Sequence, residues 1–343
     1  MKLPRLLKTD VPLIHAKLDN MEEQEFATGG RLEAPDERDF KYELLIGGAD
    51  TEVLPASFEI PLNFWFNQKK IDACAGHSFA ALKSNQEGVV VSPRVVWGLA
   101  KKKTDYIGYG SSFQECFAGN KEIGSPEYGT IDESTDVDRE KYMRFELTEE
   151  LKEKSAPHKS QSYWVVKGWQ NVKKALIKEN NPLVAYCDWM TSYNYPVNGF
   201  LPLSNNVNAG GHLFIVRGWA TDQTGREYAK FRNSWGKGWG KDGDFYVYAD
   251  ELDKYDIKAF FAAVDMPKEV AKIVNKYDGQ LIKNAEKPDV YFVKAGKIIA
   301  IQNETMFNIG KSTVGKAPAW WGDWKDIVTI PEKIEKDFII KFG

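Results

Sequence analysis

The sequence predicts an α+β protein whose helices and strands are segregated along the chain. Residues 74–82 place apolar and small side chains on one helical face, and Ser92 followed by Pro93 signals the start of a second helix. Apolar runs of strand length come later and predict a part built from β-strands. These runs are residues 183–187, 213–216, 228–232 and 244–248. A helical half followed by a β half is therefore expected.

Length and composition limit the functions that the chain can have. Its 343 residues are enough for two or three domains, and 43% hydrophobic with 28% charged residues is ordinary for a soluble protein. The net charge of −3 predicts no basic surface of the kind that holds nucleic acid. Residues 189–216 are uncharged, but their prolines, asparagines and glycines exclude a membrane-spanning helix.

Three cysteines are too few for a disulfide framework if one of them is reactive. Cys116 lies in a predicted helix and Cys187 in a predicted strand, so both are interpreted as packing residues. A reducing compartment is therefore expected. The first residues lack the apolar core of a signal peptide, which predicts a cytoplasmic or virion-associated protein.

Cys74 has the sequence context of a nucleophilic thiol. It lies in NQKKIDACAGHSFAAL (residues 67–82), in the first turn of the predicted helix. A thiol is a strong nucleophile at neutral pH only as the thiolate, which a helix N-terminus and a neighbouring imidazolium stabilise. Taken alone, Cys74 has a plainer interpretation as a small buried apolar residue.

Two further segments supply partners for such a thiol. His212 begins an apolar run in AGGHLFIVRGW (209–219), which predicts a histidine at a strand end, uncrowded by the two preceding glycines. Asn233 lies in FRNSWGKGWG (231–240), where its amide would orient the imidazole. Taken alone, these residues would be a core histidine and a turn residue.

Together the three segments resemble the papain-like cysteine peptidases, over residues 55–265. The resemblance implies a two-lobed fold with a helical left lobe, an antiparallel β-barrel right lobe and a cleft between them. It implies that Cys74 attacks the scissile carbonyl, that His212 takes and returns the proton, and that Asn233 orients His212. Gln68 and the Cys74 N–H would hold the oxyanion. No metal or other cofactor is implied.

The spacing and one tryptophan agree with this resemblance. The separation between Cys74 and His212 lies within the roughly 130–150 residues that the family shows, and Asn233 falls slightly beyond it. A turn-rich stretch at 220–226 predicts a longer hairpin that accounts for the excess. Trp235 would cover the hydrogen bond between His212 and Asn233.

The chain departs from the family around the nucleophile. Asp72, Ala73 and Ala75 stand where many relatives have Gly-Ser or Gly-Cys before the cysteine and Trp after it. A carboxylate beside Cys74 would raise the thiol pKa, so the side chain of Asp72 is expected to point to solvent or to cap the helix. The segment is closer to bacterial and viral members. His77 is interpreted as a buried helix residue.

The expected domains are a lead segment at 1–54, the peptidase domain at 55–265 and a small β-rich module at 266–343. The lead segment is either a structural strap or a propeptide that blocks the cleft. The strap is preferred, because the Pro-Asp-x-Arg-Asp pattern at 35–39 resembles bacterial members. A surface excursion is expected at 125–160, which is rich in charged residues and serine.

Several smaller features complete the expected organisation. Lys101, Lys102 and Lys103 are interpreted as the solvated end of the second helix. In the tail, residues 289–301 predict a hairpin and 303–307 a capped helical turn. The aromatic run at 320–324 is interpreted as the core of a small module, with a glycan-stacking platform as the alternative.

The sequence therefore predicts a cysteine endopeptidase that acts on an extended polypeptide. Specificity is expected to depend on the strand at 183–189 and on residues 204–211. One alternative is a phage or bacterial hydrolase of peptidoglycan or isopeptide bonds, which the tail would target to a cell surface or virion. Another is a papain-fold structural or binding protein without activity.

Overall fold

A computed structural model describes most of the predicted peptidase domain and parts of both ends of the chain. The described residues are 26–34, 40–41, 53–203, 207–257, 259–265, 277, 280–284, 290–294, 297–301, 328–330 and 339–340. Within them, no helix is long and apolar enough to cross a membrane.

The helices predicted at residues 74 and 92 and around Cys116 are confirmed. The Ser92 hydroxyl accepts a hydrogen bond from the Val95 N–H, and Ser112 and Glu115 form a reciprocal capping box, so side chains fix where two helices begin. The first helix ends at Gly88, which adopts the left-handed conformation. The helices are α1 (Cys74–Glu87), α2 (Pro93–Lys103), α3 (Phe113–Glu122), α4 (Arg139–Met143), α5 (Glu149–Ser155) and α6 (Trp169–Glu179).

The predicted β half is a mainly antiparallel sheet of eight strands. Its strands are β2 (Phe40–Lys41), β3 (Phe58–Glu59), β5 (Ser160–Val166), β6 (Leu183–Met190), β7 (Asn208–Thr221), β8 (Glu227–Arg232), β9 (Asp244–Tyr248) and β10 (Ala259–Asp265). The order across the sheet is β2-β5-β10-β6-β7-β8-β9, with β3 paired to β7 and β2 parallel to β5. A separate short pair joins β1 (Gly30–Arg31) in parallel to β4 (Ser111–Ser112).

The core lies between α1 and this sheet. Phe79 and Leu82 of α1 are fully buried, as are Val184 of β6 and Phe214 of β7. Each such side chain contributes about 1.5–3 kcal/mol by leaving water. This packing fixes the start of α1 against β7, which brings Cys74 and His212 to the same seam.

Two expectations about polar segments were wrong in part. The excursion at 125–160 is not only surface, because Tyr142 and Met143 of α4 are buried against Trp97. Lys101 is not solvated but fully buried. Its Nζ donates to three backbone carbonyls of the following loop, those of Ile107 (2.8 Å), Gly108 (2.8 Å) and Gly110 (3.0 Å). Burial of the ammonium is tolerable because these carbonyls replace water.

The tail contains the predicted hairpin, formed by β12 (Val290–Lys294) and β13 (Lys297–Ile301). It lies within a five-stranded sheet of order β14-β11-β12-β13-β15, which adds β11 (Leu281–Asn284), β14 (Val328–Ile330) and β15 (Ile339–Ile340). The predicted helical turn at 303–307 and the aromatic run at 320–324 lie outside the described residues.

Candidate active site

Cys74 is the first residue of α1 and is completely buried. The helix has no side-chain cap, and the backbone N–H groups of Cys74 and Ala75 lie close enough to the thiol to lower its pKa. The backbone N–H of Leu213, in β7, does the same from the opposite side. The thiol therefore lies between the start of a helix and the residue that follows His212.

The sequence predicted that His212 lies at a strand end, but it lies inside β7. It pairs with Cys187 of β6, and the strand begins four residues earlier because β6 continues to bond to it. The ring Nε2 and the Asn233 Oδ1 are 2.8 Å apart, so Nε2–H donates to the amide oxygen. Nδ1 is buried and has no hydrogen-bond partner among the described residues. This tautomer leaves Nδ1 with a free lone pair, as a general base requires.

Two tryptophans pack against the imidazole. The ring centroid of Trp235 lies 5.0 Å from that of His212, in agreement with its predicted position over the His–Asn hydrogen bond. The ring centroid of Trp189, in β6, lies 4.8 Å from that of His212 and 5.1 Å from that of Trp235, so the two tryptophans are neighbours beside the imidazole. Trp189 was not among the residues predicted from the sequence, because the apolar run that predicted β6 ended at Cys187. Both rings exclude water and so strengthen the hydrogen bond to Asn233.

Burial moves both pKa values away from those of an ion pair. Burial raises the pKa of the Cys74 thiol to about 12. The hydrogen bond from the Leu213 N–H lowers this pKa, and the nearby Asp72 carboxylate raises it further. Burial lowers the pKa of His212 to about 4, although the hydrogen bond to Asn233 favours the charged ring. In this arrangement the thiol and the imidazole are both neutral, whereas the sequence analysis expected a thiolate beside an imidazolium.

A stretch of the lead segment lies across the same seam. Residues 26–33, here called the cleft strand, lie between the helical and β halves. The Gly29 N–H donates to the Gly211 carbonyl on the β side (3.0 Å), and the Ser111 N–H donates to the Gly29 carbonyl on the helical side (2.9 Å). The Thr28 hydroxyl adds a bond to the Ala209 carbonyl at 2.8 Å. The strand therefore bonds to both walls of the seam.

The cleft strand also occupies the donors around Gln68. The carbonyl of Ala27 accepts hydrogen bonds from Gln68 Nε2 and from the Trp235 indole N–H, each at 3.1 Å. Gln68 Oε1 accepts from the Ser234 hydroxyl at 2.5 Å, which fixes the orientation of the amide. A peptide carbonyl thus already lies against the side chain that the sequence analysis named as an oxyanion donor. The sequence contains one signal for this strand, the pair Gly29-Gly30, which permits close approach of two backbones. The residues that the strand contacts are distant in sequence, so the pair alone did not reveal where the strand would lie.

Asp72 was expected at the surface or at the helix cap, and both expectations were wrong. Its side chain is 1% exposed. One oxygen accepts from Arg139 Nε at 2.6 Å and the other from the Gly110 N–H at 2.5 Å. The ion pair explains why a carboxylate is tolerated here, since a buried charge needs a partner and full hydrogen bonding. Asp72 and Lys101 together hold the loop at 107–110 as one wall of the seam.

His77 is buried in α1, as predicted. Its Nδ1 lies 2.9 Å from the Ala73 carbonyl and therefore carries a proton, while Nε2 faces the Tyr142 hydroxyl at 3.4 Å. Burial lowers its pKa to about 4. A neutral ring with both nitrogens occupied has a structural role behind Cys74.

Comparison with known proteins identifies the fold. A protein-family model described as papain family cysteine protease matches residues 84–264, a stretch that includes His212 and Asn233 and begins after Cys74. Xylellain, a cysteine protease from Xylella fastidiosa, is 18% identical with a TM-score of 0.60, covering 72% of this chain and 98% of its own.

Two proenzyme structures are also similar. Digestive procathepsin L2 proteinase from the Tenebrio molitor larval midgut is 17% identical with a TM-score of 0.56, over 71% of this chain and 81% of its own. ProCathepsin B S9 from Trypanosoma congolense is 19% identical with a TM-score of 0.51, over 70% and 87%. No curated protein matches the sequence. The predicted α+β, papain-like fold is confirmed.

Proposed function

The chain belongs to the papain family of cysteine proteases and is a cysteine-type peptidase, and we propose that Cys74, His212 and Asn233 are its catalytic triad. The hydrogen bond between His212 Nε2 and Asn233 carries this assignment, because it leaves Nδ1 as the free nitrogen at the seam that Cys74 shares. Gln68 Nε2 is the side-chain oxyanion donor, and its contact with the Ala27 carbonyl supports that role.

The proposed reaction is peptide-bond hydrolysis through a thioester. The Cys74 sulfur bonds to the scissile carbonyl carbon after His212 has taken the thiol proton. Gln68 and the Cys74 N–H stabilise the oxyanion, and His212 gives the proton to the departing amine. Water, deprotonated by His212, then attacks the thioester, which releases the acid and restores the thiol. The substrate is a polypeptide. We propose endopeptidase action because the cleft accommodates a strand that continues beyond it at both ends, as the interior of a polypeptide would.

We further propose that the described structure is a latent form. With the cleft strand in place, Cys74 and His212 are fully buried and both neutral. A substrate cannot reach the sulfur until this strand moves. The propeptide interpretation of residues 1–54 is therefore favoured over the permanent strap that the sequence analysis preferred. The boundaries at 54/55 and 265/266 stay predictions.

Labelling of the thiol tests these proposals. The full chain is prepared with a recognition sequence for a site-specific protease inserted after Ala34, and is treated with an epoxysuccinyl inhibitor before and after cutting. We expect labelling at Cys74 only after cutting. The label should be absent in Cys74→Ala, strongly reduced in His212→Ala and unchanged in the matched variant Cys116→Ala. Equal labelling of the uncut chain would refute the latent form, and no labelling of either would refute the triad.

The alternatives from the sequence remain separable by assay. Hydrolysis of peptidoglycan or isopeptides but not of casein by the cut chain would favour the cell-wall hydrolase. A Cys74 pKa near the free value after cutting would favour an inactive binding protein. Targeting to a cell surface or virion by residues 266–343, and a cytoplasmic location, stay predictions.

A further inference from the structure

The seam beside Cys74 is narrow enough to exclude side chains, and the cleft strand crosses it with Gly29 and Gly30. The two glycines face opposite walls. A Cβ on Gly29 would lie 2.5 Å from the Asp72 carbonyl oxygen and 2.7 Å from its Cβ. A Cβ on Gly30 would lie 2.5 Å from Leu213 Cδ1 and 2.9 Å from two backbone atoms of His212. Separations under 3.0 Å between such atoms require the surroundings to move.

Each wall also contributes a glycine where the strand passes. A Cβ on Gly110 would lie 1.7 Å from the Gly29 carbonyl oxygen, and one on Gly211 would lie 2.3 Å from that of Gly30. Backbone therefore faces backbone on both sides. We call this passage, between Gly110 with Asp72 and Gly211 with Leu213, the glycine corridor.

Neither wall can easily retreat. On the helical side, Asp72 is held by Arg139 and by the Gly110 N–H. On the β side, residues 211–213 of β7 are paired with Tyr186–Asp188 of β6, and pairing with β8 begins further along the same strand at Ile215, which anchors this backbone to the sheet. The Leu213 side chain, 1% exposed, belongs to the main core and fills the space that a substrate side chain would need. Because backbone atoms form most of both walls, the width is independent of the direction in which a peptide runs.

We propose that the peptidase selects polypeptides with two consecutive glycines at the positions that cross Cys74, and that Leu213 is a specificity-determining residue. This inference rests on the proposed function of the same cleft. It narrows the substrate class to polypeptide segments that contain glycine. The chain's own segment Thr28-Gly29-Gly30-Arg31 is an example of a sequence that fits the corridor. It also refines the expectation that the regions around 183–189 and 204–211 set specificity.

Cleavage of matched peptides by the cut chain tests the inference. Four fluorogenic peptides differ only in a central Gly-Gly, Gly-Ala, Ala-Gly or Ala-Ala pair, and mass spectrometry locates the cut bond. We expect kcat/KM for Gly-Gly to exceed that for Gly-Ala and for Ala-Gly by roughly 10- to 200-fold each, the range for one added carbon in a closed site, with Ala-Ala slowest. Leu213→Ala should reduce the preference for glycine at one of the two positions. Leu201→Ala, a buried leucine outside the corridor, should leave the preference as it is.

The outcomes separate this inference from the proposed function. If Cys74 is labelled and the alanine peptides are cleaved as fast as Gly-Gly, the corridor does not select glycine, while the peptidase assignment stands. If Cys74 is unlabelled and no peptide is cleaved, both fall. An unchanged preference in Leu213→Ala would overturn the role of that residue.

Discussion

Gly29 fits the cleft so closely that the single methyl group added by Gly29→Ala tests whether the cleft strand holds the enzyme in a latent form. Gly29 has a φ of +133°, which residues with a side chain rarely adopt, and a Cβ there would overlap Asp72 at 2.5 Å. Backbone strain of this kind costs about 1–3 kcal/mol and overpacking a similar amount. Gly29→Ala should therefore weaken the closed form by about 3 kcal/mol, which raises the open fraction roughly 100-fold.

The assay is the rate at which iodoacetamide alkylates Cys74 in the intact, uncut chain. When opening and closing are fast, this rate follows the open fraction, so it should rise roughly 100-fold in Gly29→Ala. Leu32→Ala is the matched control, because Leu32 is in the same strand with its side chain 42% exposed. An alkylation rate in Gly29→Ala equal to that of the control would refute the reasoning that close packing of this glycine holds the cleft shut.

Three further predictions concern the site and its supports. In the cut chain, Gln68→Ala should lower kcat by about 10²–10³ with a much smaller change in KM, since the amide acts on the oxyanion; a change confined to KM would contradict that role. Arg139→Ala should destabilise the protein by about 3 kcal/mol in urea unfolding, because it leaves the buried Asp72 unpaired, whereas Arg144→Ala, which breaks an exposed pair with Glu140, should cost under about 1 kcal/mol. Equal effects of the two would show that burial of Asp72 is unimportant. His77 is neutral when folded, with a pKa of about 4 against 6.5 when unfolded, so the unfolded chain binds the extra proton between these values. Stability should therefore fall as the pH drops from about 6.5 towards 4, by up to about 1.4 kcal/mol per pH unit for this ring, and His77→Gln should reduce that slope in pH-dependent unfolding.

The sequence predicted the elements with local signals. Ser92-Pro93 is a start signal that acts within one helical turn, and α2 begins where these residues indicate. The hairpin at 220–226 was equally local. The residue types around Cys74, His212 and Asn233 indicated the chemistry because nucleophilic catalysis demands them together.

The errors arose where a side chain finds a distant partner. Asp72 is buried because Arg139 reaches it from the middle of the excursion, and Lys101 is buried because a loop folds back over it. The closure of the cleft has the same origin, since Ala27 and Gly29 bond to residues near 68, 111, 211 and 235. Periodicity and capping carry no information about such pairings.

None of the three cysteines forms a disulfide and all three are buried, so the number of accessible thiols reports the state of the protein. A colorimetric thiol reagent in native buffer should count no sulfhydryl in the closed molecule, a single one once the strand has left, and three after denaturant. The number of reactive thiols per molecule, measured with no substrate and no engineered label, thus distinguishes the closed, the open and the unfolded protein.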